Sequence, residues 1–488
     1  MNQETNRTTE FRAAEQDVEA HSAVFKKELG LTDLVLTQIL YIVGLSWVGA
    51  AAKLGHSHIV FWMLAITLFY IPSAVVVIYL NRLMPLEGGL YQWAKLGFNE
   101  FVGFLVAWNL WLYVIVLTSE IGLQVATYLS YALGPQAAWL ASNKWVISLS
   151  ACIIIAALVI VSTLGLGVGK WVHNAGAVMM LLIFAVLIVL PMLNVWRGTM
   201  AEYHPFTMAM PAFTLLSLNI LGKLGFGALG GFEYVAILAG ECRNPVRTIG
   251  RSVMIAAPVI AVMFILGTSS VLAFIPDGNI DLIGPIPQVL SIGSRPFGIA
   301  ASIVPVAILM VMCMRLAQAS VNFTANSRLP MVAGWDQLLP EWFTRLHPKR
   351  KTPVNSILFV GAMVLGMGLA GIVGVGEQEA YQLLQSAAVI FYGSTYLVMF
   401  ALPILGLRGV ESRPAFWLKV AAVFGFLMTL LNLTLSIFPI VEVKSQASFT
   451  IKVIAVTVIA NIVGAAIYFL AERRRKGLSA KAAQTSAD

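Results

Sequence analysis

The sequence predicts an all-α integral membrane protein of about twelve transmembrane helices, and three observations carry that expectation. Of 488 residues, 59% are hydrophobic and 11% charged, against roughly a quarter charged in soluble globular chains, so most of the surface does not meet water. The apolar residues fall in repeated runs of about 20, the length that crosses ~30 Å of hydrocarbon at ~1.5 Å rise per residue. Stretches such as Cys152 to Val161 and Met179 to Leu190 are unbroken, which excludes the alternation of transmembrane β-strands. Backbone groups in lipid need internal hydrogen bonds, so the runs are helices.

In chain order, residues 1–30 are polar and mixed in charge (Glu4, Arg7, Glu10, Arg12, Lys26, Lys27) and read as a solvated cytoplasmic tail. They lack the basic n-region and short apolar h-region of a cleavable signal peptide. Spans are expected near 32–54, 58–83, 99–132, 144–164, 171–196, 212–239, 250–275, 297–326, 354–373, 379–405, 415–439 and 448–471. The third and eighth are long enough to tilt strongly or to project past the bilayer. The run Glu472-Arg473-Arg474-Arg475-Lys476 opens a basic tail, 472–488, suited to anionic head groups. No loop between spans is long enough to fold as a separate domain.

Charge sets the orientation. With the N-terminus inside, the cytoplasmic segments collect Arg82, Lys95, Lys170, Arg243, Arg247, Arg251, Arg328, Arg345, Lys349, Arg350, Lys351, Arg408, Arg413 and Lys419, together with the basic tail. The outer segments hold Lys53, Lys144, Arg197, Arg295, Lys444 and Lys452. That asymmetry follows the positive-inside rule and places both termini on the cytoplasmic side of the cell membrane. The net charge of +8 and pI of 9.3 are therefore orientation signals. A nucleic-acid partner would need the basic residues on one soluble face. Cys152, Cys242 and Cys313 are far apart, and the six histidines (His21, His56, His58, His173, His204, His347) are dispersed over loops and span ends. Neither a metal site nor a cofactor is expected, and an enzyme is not.

Two spans carry clustered glycine at mid-depth. Gly44-Leu45-Ser46-Trp47-Val48-Gly49-Ala50-Ala51 interrupts the first, and Gly225-Phe226-Gly227-Ala228-Leu229-Gly230-Gly231 the sixth. Each glycine destabilises a helix by about 1 kcal/mol relative to alanine, so local unwinding is expected there. Freed N–H groups at a half-helix N-terminus suit a carboxylate, and freed carbonyls suit a cation. Glycine also serves close helix packing, which suffices for the isolated Gly103 and Gly122. The two interruptions lie five spans apart. An odd separation reverses topology, so two five-span units, 31–205 and 206–410, are expected as inverted repeats around a midplane solute site, with 411–471 adding two further spans.

At these residues the chain resembles the amino acid–polyamine–organocation (APC) superfamily of permeases with the LeuT-type fold. The motifs are Pro85-Leu86-Glu87-Gly88-Gly89-Leu90-Tyr91 after the second span, Gly231-Phe232-Glu233 with Gly240-Glu241-Cys242-Arg243-Asn244-Pro245 at the sixth, and Ser327-Arg328, Leu339-Pro340 and Thr352-Pro353-Val354-Asn355 after the eighth. The resemblance implies a secondary transporter that holds a substrate's α-carboxylate and α-amino groups on unwound backbone, here Ser46, Trp47, Val48, Gly49, Ala50 and Ala51 and the stretch Phe226 to Gly231. There are departures. Ala51 replaces a second glycine, which tightens the carboxylate pocket. The aromatic gate of the sixth span falls at Gly227, leaving that side open. The lysine used by some proton-coupled members has no counterpart at Val178-Met179-Met180-Leu181, and the eighth span offers no Ser/Thr pair for sodium. Coupling by proton symport or by exchange both remain.

Charged residues inside the bilayer default to functional candidates. Glu120, flanked by Thr118 and Ile121 on the third span, is a candidate proton carrier or partner for a cationic group. Lys223 is placed to pair with Glu120, to attract an anionic solute or to snorkel outward. Glu233 is expected to support the unwound backbone, and Arg315 to pair with Asp277 or Asp281. Asn322 is placed to face the centre, and Trp47 and Phe226 are expected as walls or gates, ahead of Trp108 and Trp111. Glu87 and Glu241, with Arg243 or Arg328, are candidate cytoplasmic gate contacts. The expected solute is amino-acid-like, with polyamines or other organic cations as the alternative. The other partners are the lipid bilayer and, through coupling, protons.

Overall fold

Side-chain caps fix where several helices begin. Asn99 accepts from the Val102 N–H at 2.9 Å, Asn143 from Trp145 and Val146 at 2.9 and 3.2 Å, and Asn244 from Arg247 at 3.4 Å. Each satisfies an N–H that the first turn leaves free. The structure, a computed structural model, describes residues 13, 16–20, 27–298, 300–371, 377–407, 414–440, 443 and 445–485. Most of the expected N-terminal tail, Arg408, Arg413 and Lys444 of the topology argument and the end of the basic tail lie outside the described residues, as does the Asp277 side chain.

The principal helices are α1 Leu31–Ile42, α2 Leu45–Ala52, α3 Gly55–Leu83, α4 Leu90–Gly97, α5 Glu100–Leu133, α6 Lys144–Leu164, α7 Leu166–Trp196, α8 Leu215–Ala228, α9 Tyr234–Ile237, α10 Pro245–Phe274, α11 Pro285–Gly293, α12 Ala300–Asn326, α13 Leu329–Trp335, α14 Val354–Gly371, α15 Glu377–Leu405, α16 Phe416–Leu435 and α17 Gln446–Thr485. Among the described residues nine helices are long and apolar enough to cross a membrane, and the bent pair α1/α2 passes the same test as one unit. Two shorter apolar helices, α8 and α14, fall within the sixth and ninth expected spans. The chain is thus an all-α, multi-pass membrane protein.

Burial runs opposite to that of a soluble bundle. Exposed side chains on α6 and α17 include Leu149, Ile153, Ile160, Ile451 and Ile462, which suit lipid, while Glu120, Gln124, Lys223, Glu233, Gln318 and Asn322 are buried. In the middle, α1 packs on α7, α10 and α12, α2 packs on α10, and α5 packs on α12 and α15.

Both interrupted spans differ in detail from the sequence expectation. The first breaks at Val43–Gly44, whose ψ angles of 94° and 129° are extended, and bends by 45° there. Ser46 to Ala51, expected to unwind, are helical within α2, because Ala50, Ala51 and Ala52 are strong helix formers that outweigh Gly49. In the sixth span, Lys223–Ala228 form a π-helical turn, so Phe226 stays in helix, and the break falls at Gly230 to Glu233. Gly231 takes φ 135°, and a Cβ there would lie 2.6 Å from the Tyr41 ring of α1. The two breaks touch because this residue is glycine.

Candidate functional site

The broken ends need partners for their main-chain groups. At the first break one side chain supplies them: the Gln318 amide of α12 donates to the carbonyls of Leu40 at 2.7 Å, Val43 at 3.0 Å and Tyr41 at 3.4 Å. Its oxygen accepts from Arg315, whose Nε donates to Gln124 at 2.7 Å. Gln124 in turn donates to Glu120 at 2.6 Å. Glu120 sits at the one-residue interruption where α5 passes from Glu100–Ser119 to Ile121–Leu133, beside Ser119, whose hydroxyl bonds back to the Val116 carbonyl. Gln385 of α15 reaches both Glu120 oxygens at 3.0 and 2.9 Å, and Arg315 Nη2 stands 3.7 Å away. A chain of polar contacts therefore runs from a carboxylate to the broken helix.

At the second break the Gly231 N–H donates to the Tyr396 hydroxyl at 2.7 Å. Tyr396 and Tyr392 both donate to Glu233. Tyr392 stacks on Tyr113 at 4.1 Å between ring centroids, and Tyr41 on Tyr234 at 3.9 Å. Aromatic rings from α1, α5, α9 and α15 thus surround the junction.

Between the breaks lies a cavity with about 50 Å³ open to the centres of water molecules, room for about four waters at ~10–15 Å³ each. Gly44, Leu45, Ser46 and Trp47 form one wall, Gly227 and Gly230 another, and Glu120, Gln124, Arg315, Gln318, Asn322, Gln385 and Tyr392 carry the polar and aromatic remainder. Among the described residues no side chain caps α2, and its first residues, Leu45 and Ser46, line this space, leaving an uncapped half-helix N-terminus beside it. Among the described residues the Asn322 oxygen, on this wall, is buried without a hydrogen-bond partner.

The structure brings Ser46, Trp47, Glu120, Gly227, Gly230 and Asn322 together on this cavity and places the other candidates elsewhere. Val48 and Gly49 pack on Gly267 and Pro285, and Ala51 is fully buried. Ile121 belongs to the apolar core, and Thr118 is buried with its hydroxyl unpartnered. Phe226 packs edge-on against Phe69, Tyr392 and Tyr396 behind the wall. Gly231 and Glu233 hold the break from behind. Ala50 and Lys223 line a smaller cavity of about 30 Å³ beside the first. Trp108 and Trp111 line a separate apolar cavity.

Two expectations are corrected. The side expected to stand open at Gly227 is filled from α2: a Cβ at Gly227 would lie 2.7 Å from the Trp47 ring, and one at Gly44 would lie 2.5 Å from it. Arg315 joins the Glu120 network, whereas Asp281 bonds Tyr131 at 2.8 Å and Gln378 at 3.1 Å. Gln124, Gln318 and Gln385 are site residues that the sequence reading does not single out. For two of them the signal is spacing, Gln124 four residues after Glu120 and Gln318 three after Arg315 on shared helix faces; Gln385, on another span, carries no such signal.

Glu87 lies far from this cavity. Its carboxylate accepts from the Gly240 N–H at 2.6 Å, next to the Arg328–Glu241 pair at 2.5 Å. Burial, then the neighbouring Glu241 carboxylate, pushes Glu87 up to about 8, with Arg328 and the Gly240 N–H opposing. Among the described residues no three metal-ligating side chains cluster.

Comparison with known proteins agrees with this architecture. An uncharacterized transporter of Legionella pneumophila is 25% identical over 378 residues, covering 77% of this chain and 80% of that protein. A branched-chain amino acid permease of Bacillus subtilis is 23% identical, over 75% of this chain and 81% of that protein. A probable agmatine/putrescine antiporter of Lactococcus lactis is 24% identical over 52% of this chain and 53% of that protein. These are transporters, not enzymes. The family profile described as amino acid permease matches residues 29–460, and the chain belongs to that family, within the APC superfamily.

Proposed function

We propose that this protein is a secondary transporter that carries amino acids across the cytoplasmic membrane by alternating access, with both termini on the cytoplasmic side. The observation that carries the reading is the uncapped N-terminus of α2 facing a small polar cavity between two abutting helix breaks. The N–H groups of Leu45 and Ser46 suit an α-carboxylate, the carbonyls around Gly227 and Gly230 suit an ammonium, and Asn322 adds an amide. Residues 31–205 and 206–410 act as inverted repeats that rock about this point, and transport proceeds by proton symport or by exchange.

The amino acid reading is preferred over a polyamine because the Glu120 oxygens already accept from Gln124 and Gln385 and face Arg315. A dication would have to displace these donors. Uptake of labelled amino acids and of putrescine into proteoliposomes, with and without unlabelled solute inside, tests the reading. Saturable amino acid uptake is expected. Uptake of putrescine alone would reverse the preference.

A further inference from the structure

Two cations border the solute space, and neither has a full set of partners. Lys223 is 2% exposed in the π turn of α8, where its ammonium meets the Ser436 hydroxyl at 3.5 Å and, among the described residues, no carboxylate within ion-pair reach. It does not reach the Glu120 carboxylate, whose ion pair is with Arg315. An uncompensated ammonium buried at membrane depth is strongly unfavourable. Lys223 lines the smaller cavity, whose walls at Ser46, Trp47, Tyr381, Gln385 and Val389 also bound the central one. Arg315, on the central wall, uses Nε and Nη1 on Gln124 and Gln318. Its Nη2 has no hydrogen-bond acceptor among the described residues and stands 3.7 Å from Glu120.

The carboxylates show the reverse condition. Both Glu120 oxygens accept from amides, and both Glu233 oxygens accept from tyrosines. The lining therefore holds one cation with no carboxylate partner among the described residues, Lys223, and one, Arg315, with a guanidinium nitrogen free of hydrogen bonds, while its carboxylate oxygens already accept. A solute completes such a lining by bringing negative charge. Under the amino acid reading, on which this step rests, the α-carboxylate goes to the N-terminus of α2, and the uncompensated Lys223 charge beside the open Arg315 nitrogen calls for another anion.

We infer that the preferred solute is an acidic amino acid whose side-chain carboxylate is taken by Arg315 in the central cavity, with Lys223 supplying the charge that draws it through the adjoining one. The pairing is a charge-assisted hydrogen bond from Nη2 at Arg315 and electrostatic at Lys223. Both cations would disfavour a polyamine in the same space.

The test uses the full-length protein in proteoliposomes with labelled L-glutamate and its neutral isostere L-glutamine. Wild type is expected to show kcat/KM at least tenfold higher for glutamate. That ratio should fall at least tenfold in Lys223→Met and again in Arg315→Gln. Lys223→Met should also unfold at a higher temperature than wild type without solute, since it removes a buried uncompensated charge, and this separates a recognition role from a folding one. Should Arg315→Gln not fold, the wild-type ratio and Lys223→Met decide. A preference for glutamine, or an unchanged ratio in Lys223→Met, overturns the inference and leaves the amino acid reading standing. Transport of no amino acid at all overturns both.

Discussion

The two helix breaks solve one problem in different ways. Between α1 and α2, a single flexible amide on Gln318 serves three carbonyls and is itself held by Arg315 and, through Gln124, by Glu120. Between α8 and α9, the Gly231 N–H is held by a fully buried tyrosine that is in turn fixed on a carboxylate. The first break is wired to charges that border the cavity, so a solute that disturbs those charges also disturbs the bend. The second is clamped by rings with little room to reorient. Adjustable and rigid supports thus meet at one point, and the contrast suits a helix that moves against one that stays.

The comparison can be broken most severely at Gln318. Gln318→Leu strips a donor from three buried carbonyls at about 1–3 kcal/mol per unsatisfied group, and should lower thermal stability in detergent by the most and abolish uptake. Tyr396→Phe should cost about 1–3 kcal/mol, with solute affinity changing less than stability, because its contacts lie behind the wall. Measuring binding and unfolding on the same sample checks that split. Gly227→Ala places a methyl against Trp47 at 2.7 Å and should cost about 1–3 kcal/mol by overpacking. Trp47→Phe in the same chain should recover much of that loss, and strict additivity of the two changes would contradict the contact.

A test read through pH rather than through a cavity or a lost bond lies at Glu87, in the loop after α3. Its folded form holds a proton up to about pH 8, whereas an unfolded glutamate releases it near pH 4.3. The native state therefore binds more protons across that window, and stability should fall as pH rises through it. Glu87→Gln, which imitates the protonated form, should flatten the dependence of the unfolding temperature on pH between about 5 and 8.

Sequence revealed the membrane class because span length and hydrocarbon thickness share one physical scale. The family was legible from three motifs, each tied to particular turns. One of them is explained by the Gly88 N–H donating to the Ile237 carbonyl at 3.1 Å, which docks the loop after α3 onto α9. The position of the first break is not legible from glycine content alone, because Ala50–Ala52 favour helix next to Gly49. The partner of Arg315 was misjudged because an ion pair between helices depends on lateral distance, which spacing along one helix does not encode. The filling of Gly227 by Trp47 was equally hidden, since it depends on which way a ring from another helix turns.

A short pairing ahead of α1 has a mechanical consequence. The Leu29 N–H donates to the Glu241 carbonyl at 3.1 Å, and the Arg243 N–H donates back to Leu29 at 3.1 Å. This clasp yokes the residues leading into the first bent span to those leaving the second. While it holds, neither can swing at that end without towing the other, unless two main-chain bonds let go.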